Sequence, residues 1–283
     1  MKKNNTTNLK TDEKKESVNA DNTIWVISTG RVGSTLMSTL ITDDKSNKLI
    51  EHQIPGARPI NILGNLTCAG MISVELAGKL SRTLFGLKYG ESTTDPLRSM
   101  LLSAEILNDV VSVKPKIIHV VRDPRDFVSS FMNWKDQKIK RKILHHIIPF
   151  WQPTPWIVGE SSFMERMSMS KFEHFCWIWR YKNELFERLE MKGEYKRFHF
   201  EDIVQGDTEE SSAISELNNF LEFSNNEKSV NRPSKKVNKS KGKFPKWINW
   251  TPQQAAILDK HCGELMRKYG YGKEKEWSLL LAK

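Results

Sequence analysis

The chain has 283 residues, 38% hydrophobic and 10% aromatic, enough to bury one large core or two small ones. Against 34 Asp and Glu stand 44 Lys and Arg, and the formal charge of +10 favours anionic partners such as phosphorylated cofactors, nucleic acid, anionic lipid or sulfated glycan. Cys68, Cys176 and Cys262 are widely spaced with no Cys-x-x-Cys, which argues against a disulfide framework or a zinc site; no apolar run is long enough for a signal segment or a membrane span, so a cytoplasmic location is expected.

Residues 1–20 are polar and aperiodic, which predicts a disordered tail, followed by one domain over 21–275 and a second tail over 276–283. The domain opens on Thr23-Ile-Trp-Val-Ile-Ser28, a β-branched run of the kind buried in parallel sheets. The turn Thr29-Gly30-Arg31-Val32-Gly33 leads into a helix over 34–41 with Leu36, Met37 and Leu40 inward. Leu49-Ile50 is a short strand candidate that ends at Glu51. Lys116-Ile-Ile-His-Val-Val121 predicts a second strong strand, with Asp123 capping and Pro124 opening the helix that follows.

Trp151 and Trp156, with Pro149, Pro153 and Pro155, predict an irregular insertion or lid over 135–167. A long helix over 168–190 comes next, with Phe172, Phe175, Trp179, Phe186 and Leu189 near one face. Lys196-Arg-Phe-His-Phe200 predicts a further strand, and Asp207 with Glu210 a capping pair for a helix carrying Ile214, Leu217 and Leu221. The last helix is the most fully marked: Thr251 caps it, Pro252 opens it, Gln254 completes a capping box and Gly270 ends it. Strands alternating with helices predict a single α/β domain, with a mostly parallel central sheet flanked by helices.

A strand, Gly-x-x-Gly-Ser-Thr and a helix make a device for anions. Gly30 and Gly33 let the backbone approach a ligand, successive N–H groups point into the bend, and Ser34 and Thr35 add hydroxyl donors. Arg31 adds a cation that stays charged. The pattern is not a Walker A loop, because Ser34 stands where that loop has its lysine. By itself it also suits an ordinary βα turn. Arg122, at the carboxyl end of a strand, and Ser130, two turns into the next helix, can grip one phosphate from two sides. Arg122 can equally pair with Asp123 or Asp126, as Arg125 is expected to do.

Ile-Ile-His-Val-Val-Arg-Asp-Pro-Arg-Asp-Phe-Val-Ser-Ser, residues 117–130, resembles the 3′-phosphate motif of sulfotransferases that use 3′-phosphoadenosine-5′-phosphosulfate (PAPS). In that family an Arg and a Ser eight residues later bind the 3′-phosphate, a spacing that Arg122 and Ser130 share. The run Gly30-Arg31-Val32-Gly33-Ser34-Thr35-Leu36 resembles the family's 5′-phosphosulfate loop, closest to its glycan, tyrosylprotein and bacterial members, with Val32 in place of the usual Ser. Phe198-His-Phe-Glu-Asp-Ile203 is similar to the family's Arg-Tyr-Glu-Asp-Leu strand. Lys241-Gly242 before Trp247 is similar to the loop that closes on the 3′-phosphate, with Ser240 where the cytosolic enzymes have Arg. That likeness gives a role to the run from Lys228 to Lys246, which holds eight Lys or Arg and no acid.

The resemblance implies a P-loop-like phosphosulfate turn, PAPS as sulfuryl donor, no metal, a small-molecule or glycan acceptor and no nucleic-acid partner. It also implies Arg31 at the bridging oxygen and Glu51 as general base, with His52 and Glu91 as other candidates. Lys88, in Leu87-Lys88-Tyr89-Gly90-Glu91, would position the acceptor or the sulfuryl group, and a solvated lysine fits there equally. His119 lies mid-strand, as a packed core histidine does. Two other classes share parts of these signals: a P-loop nucleotide kinase or NTPase, which needs a P-loop Lys and Mg²⁺ ligands, and a basic nucleic-acid-binding protein.

Overall fold

The computed structural model describes residues 24–30, 63, 66, 71–73, 75–77, 79–80, 95–97, 116–135, 154–187, 194–205, 212–221 and 242–283. The predicted tail over 1–20, the helix over 34–41, the strand at 49–50 and the Asp207/Glu210 cap lie outside them. No helix among the described residues is long and apolar enough to cross a membrane.

Strands β1 (Ile24–Ser28), β2 (Asp95–Leu97), β3 (Lys116–Val121) and β4 (Glu194–His199) form a sheet in the order β2-β1-β3-β4, every neighbouring pair parallel. Position follows composition. Ile27 of β1 and Ile117, Ile118, Val120 and Val121 of β3 are fully buried, as strands covered on both faces require. β2, which contains Pro96, is the outermost described strand on its side.

The helices are α1 (Pro124–Lys135), α2 (Phe163–Ser168), α3 (Lys171–Glu187), α4 (Phe200–Gln205), α5 (Ser212–Leu221), α6 (Pro252–Lys268) and α7 (Lys275–Leu281), with a short 3-10 turn at Trp247–Asn249. Helices α1, α3 and α6 close one apolar core around Phe127, Phe131, Phe175, Trp179, Leu258 and Met266. On the other face of β4, Lys196 pairs with Glu216 of α5 at 2.5 Å, so helices flank both sides of the sheet. The α/β architecture expected from the sequence is the one observed.

Several boundaries match their chemical signals. The Asp123 carboxylate accepts from the Arg125 N–H at 2.8 Å where α1 begins. Thr251 and Gln254 form the reciprocal capping box of α6. Its far end closes as a Schellman turn: Gly270 adopts φ 87°, its N–H donates to Arg267 O at 2.9 Å, and Tyr271 N–H donates to Met266 O at 3.0 Å.

Two expectations need correction, a helix start and the C-terminal tail. The long helix expected over 168–190 begins at Lys171 instead, because Met169 is extended and the Ser170 hydroxyl accepts the Glu173 N–H at 3.1 Å. Of the insertion expected over 135–167, the described residues 154–162 run as turns and bends before α2, which starts at a Ser162/Glu165 capping box. The predicted tail over 276–283 folds as α7. Trp277 is buried against Trp247, with ring centroids 6.0 Å apart, and that burial anchors the segment. Trp177 and Trp179 are core residues, and their indole N–H groups donate to Glu160 and to the Arg122 carbonyl.

Candidate active site

The strand order sets where a ligand fits. After β1 the chain moves to β2 on one side; after β3 it moves to β4 on the other. The crevice between the carboxyl ends of β1 and β3 is therefore the topological switch point, where open α/β sheets take their ligands. Ser28 is in register with Val120. Two residues further on, Gly30 and Arg122 stand at the same level of the sheet edge.

On the β1 side, Gly30 adopts φ 88°, a conformation that favours glycine, and its N–H donates to the Ser28 hydroxyl at 3.3 Å. Thr29 is buried, and its hydroxyl has no hydrogen-bond partner among the described residues. The Lys182 ammonium of α3, also buried, lies 3.5 Å from the Thr29 carbonyl oxygen.

On the β3 side, Arg122 is held by its backbone, its carbonyl accepting from Trp179 Nε1 at 2.9 Å. Its guanidinium carbon sits 4.9 Å from the Phe200 ring centroid. Arg125 pairs with the neighbouring acid, as expected: it donates to both Asp123 oxygens and, through Nη1 and Nη2, to Glu274 at 2.8 and 2.7 Å. The same guanidinium lies 4.2 Å from the Trp247 ring and 5.2 Å from that of Trp277. Burial pushes the Asp126 carboxyl up, Asp123 adds to that, and Arg122, Arg125 and Lys246 pull it back. Glu201 ties β3 to β4 by accepting from the Asp123 N–H at 3.2 Å and from the Tyr271 hydroxyl at 2.7 Å; burial raises its pKa, and those two bonds oppose the shift.

A strap from Gly242 to Lys246 runs along α1 on the face that carries Ser130. Asn133 fixes it by reciprocal bonds, donating to the Phe244 carbonyl at 3.3 Å and accepting the Phe244 N–H at 2.7 Å. Ser129 donates to the Pro245 carbonyl at 3.3 Å. Gly242 presses so closely on α1 that a Cβ there would fall 2.5 Å from the Asn133 Cα. Asp126, Ser129, Ser130 and Asn133 share this face by helical spacing.

Of the residues singled out in the sequence, Gly30 and Arg122 follow the carboxyl ends of the paired strands β1 and β3, and Gly242 packs against Asn133 of α1, three residues after Ser130. Arg31, Val32, Gly33, Ser34, Thr35, Glu51, Lys88 and Lys241 lie outside the described residues, as do His52 and Glu91. Thr29, Lys182 and Asn133 were not singled out. Asn133 carries a usable signal, three residues after Ser130 on one helix face. Lys182 carries none, because it reaches β1 from 153 residues away.

No protein-family pattern matches the chain, and no curated protein does. Among solved structures, the sulfotransferase domain from the curacin biosynthetic pathway is similar, at 13% identity over 88% of this chain and 98% of that one, with a TM-score of 0.49. So is the sulfotransferase domain from the Synechococcus PCC 7002 olefin synthase, at 15% identity over 88% of this chain and 94% of that one, with a TM-score of 0.47. At this identity and overlap neither likeness assigns an activity.

Proposed function

We propose that the protein is a sulfotransferase that moves a sulfuryl group from PAPS to a hydroxyl or amine acceptor by in-line displacement, releasing adenosine 3′,5′-bisphosphate. The observation that carries this reading is the adjacency of two strand ends at the switch point, one bearing Thr29-Gly30 and the other Arg122. One adenine nucleotide with phosphates at both ends of its ribose needs two such anchors. The described residues fit that ligand: a left-handed glycine and a buried unpartnered hydroxyl at one anchor, and a guanidinium beside an aromatic ring at the other. The resemblance of residues 30–36 and 117–130 to the family's two phosphate motifs supports the same assignment.

In this reading the amides of Gly33, Ser34 and Thr35, with Gly30 and Val32 shaping the bend, hold the 5′-phosphosulfate. Arg122 and Ser130 hold the 3′-phosphate, flanked by Lys241 and Gly242. PAPS, when bound, supplies the activated sulfuryl group. Arg31 stabilises charge on the bridging oxygen, where a preorganised cation acts most strongly. Glu51 takes the acceptor proton, with His52 and Glu91 as alternatives, and Lys88 orients the acceptor. The acceptor is a small molecule or a glycan.

Incubation with sulfate-labelled PAPS and a panel of hydroxyl and amine acceptors tests the proposal. The wild type transfers label without added Mg²⁺, and R31A slows transfer by about 100-fold or more. Transfer of phosphate from ATP that requires Mg²⁺, with none from PAPS, overturns it in favour of a kinase.

A further inference from the structure

The turn after β1 lacks the lysine that P-loops aim at phosphates, Ser34 standing in its place. A lysine arrives at the same turn from a different part of the chain. Lys182 belongs to α3, is 1% exposed, and has its ammonium 3.5 Å from the carbonyl oxygen of Thr29. A cation is kept out of water only where polar or anionic groups compensate it. Thr29 itself is 1% exposed, and its hydroxyl is the buried unpartnered group already noted. Next in the chain, Gly30 turns the backbone through φ 88°. A buried cation, an unpartnered buried hydroxyl and a left-handed glycine therefore converge on one strand end.

We propose that Lys182 is a positioning residue of the donor site. Its ammonium bonds the Thr29 carbonyl oxygen at the end of β1 and places fixed positive charge beneath the 5′-phosphosulfate end. The identity of the ligand rests on the sulfotransferase reading; the convergence of Lys182 on the turn does not. The charge reaches the turn from helix α3, so the device is invisible to any motif confined to the β1 loop.

Calorimetric titrations of wild type, K182M, K182R and R122A with adenosine 5′-phosphate and adenosine 3′-phosphate test the inference. K182M weakens adenosine 5′-phosphate about tenfold or more and changes adenosine 3′-phosphate by less than about twofold; K182R recovers most of the loss, and R122A gives the reverse pattern. A general loss of structure would weaken both ligands alike. K182M binding adenosine 5′-phosphate as tightly as wild type, or losing both ligands equally, overturns the inference. If the wild type binds neither nucleotide, the sulfotransferase reading fails, and inorganic pyrophosphate then tests Lys182 by itself, an equal affinity in K182M overturning it. Should K182M not fold, the isotope-labelled Lys182 ammonium resonance of the wild type, assigned with K182R, shifts with adenosine 5′-phosphate and not with adenosine 3′-phosphate; no shift overturns the proposal.

Discussion

His119 sits in the middle of β3 with both ring nitrogens occupied. Asn183 donates its amide to the Trp179 carbonyl at 2.9 Å, which turns Oδ1 toward the ring. Nε2 then carries the proton and donates to Asn183 Oδ1 at 2.9 Å, and Nδ1 accepts from the Tyr195 hydroxyl. The result is a neutral imidazole, its pKa lowered to about 3 chiefly by burial. The unfolded chain takes up that proton near pH 6.5, the folded chain only near 3. Between those values the unfolded state binds more protons, so acid favours unfolding, by up to about 1.4 kcal/mol per pH unit from this group. The His119 C2 proton resonance is therefore flat from pH 7.5 down to about 4.5; a midpoint near 6.5 would refute the neutral assignment. The histidine's structural role was legible from its place in an apolar strand. Its partners were not, since Asn183 and Tyr195 lie 64 and 76 residues away.

At the scale of elements, the strap over 242–246 and helix α7 are both fastened to the start and flank of α1. Arg125 is the common fastener. Its side chain is 1% exposed, and it bonds Asp123 and Glu274 while lying over Trp247 and Trp277. Arg125→Met strands the Asp123 carboxylate in a site 8% exposed, and urea unfolding registers a loss of about 3–5 kcal/mol; a loss under about 1 kcal/mol contradicts the fastening. Gly242→Ala drives a methyl into the α1 backbone at Asn133, so the strap shifts away from Ser130. Affinity for adenosine 3′,5′-bisphosphate falls about tenfold while the thermal transition moves little; unchanged affinity separates the strap from the site.

Elements written in local chemistry were legible: α6 from its capping box and Gly270, α1 from Asp123-Pro124, β3 from its apolar run. Those decided by distant packing were not. Helix α7 is short, and it is ordered by the burial of one Trp and by Glu274 reaching Arg125, 149 residues earlier. The start of α3 at Lys171, three residues later than the apolar pattern suggests, turns on Ser170 acting as a cap.

For the whole molecule, the decisive property is topology. Among the described strands, a parallel sheet whose connections diverge after β1 and after β3 has a switch point between those two strands, and Thr29-Gly30 and Arg122 stand at its two sides. Nothing local in either motif fixes that neighbourhood; it follows from β1 and β3 lying side by side in a sheet of order β2-β1-β3-β4. The net charge of +10 adds long-range attraction for a polyanionic nucleotide, so binding weakens as salt rises. Calorimetric titration with adenosine 3′,5′-bisphosphate at low and at physiological salt, comparing wild type with R122A, measures the shared crevice directly. Sub-millimolar binding at one site, weakened about 100-fold or more in R122A while the fold is kept, is the predicted result. Binding that R122A leaves intact, or no binding by the wild type, would contradict it.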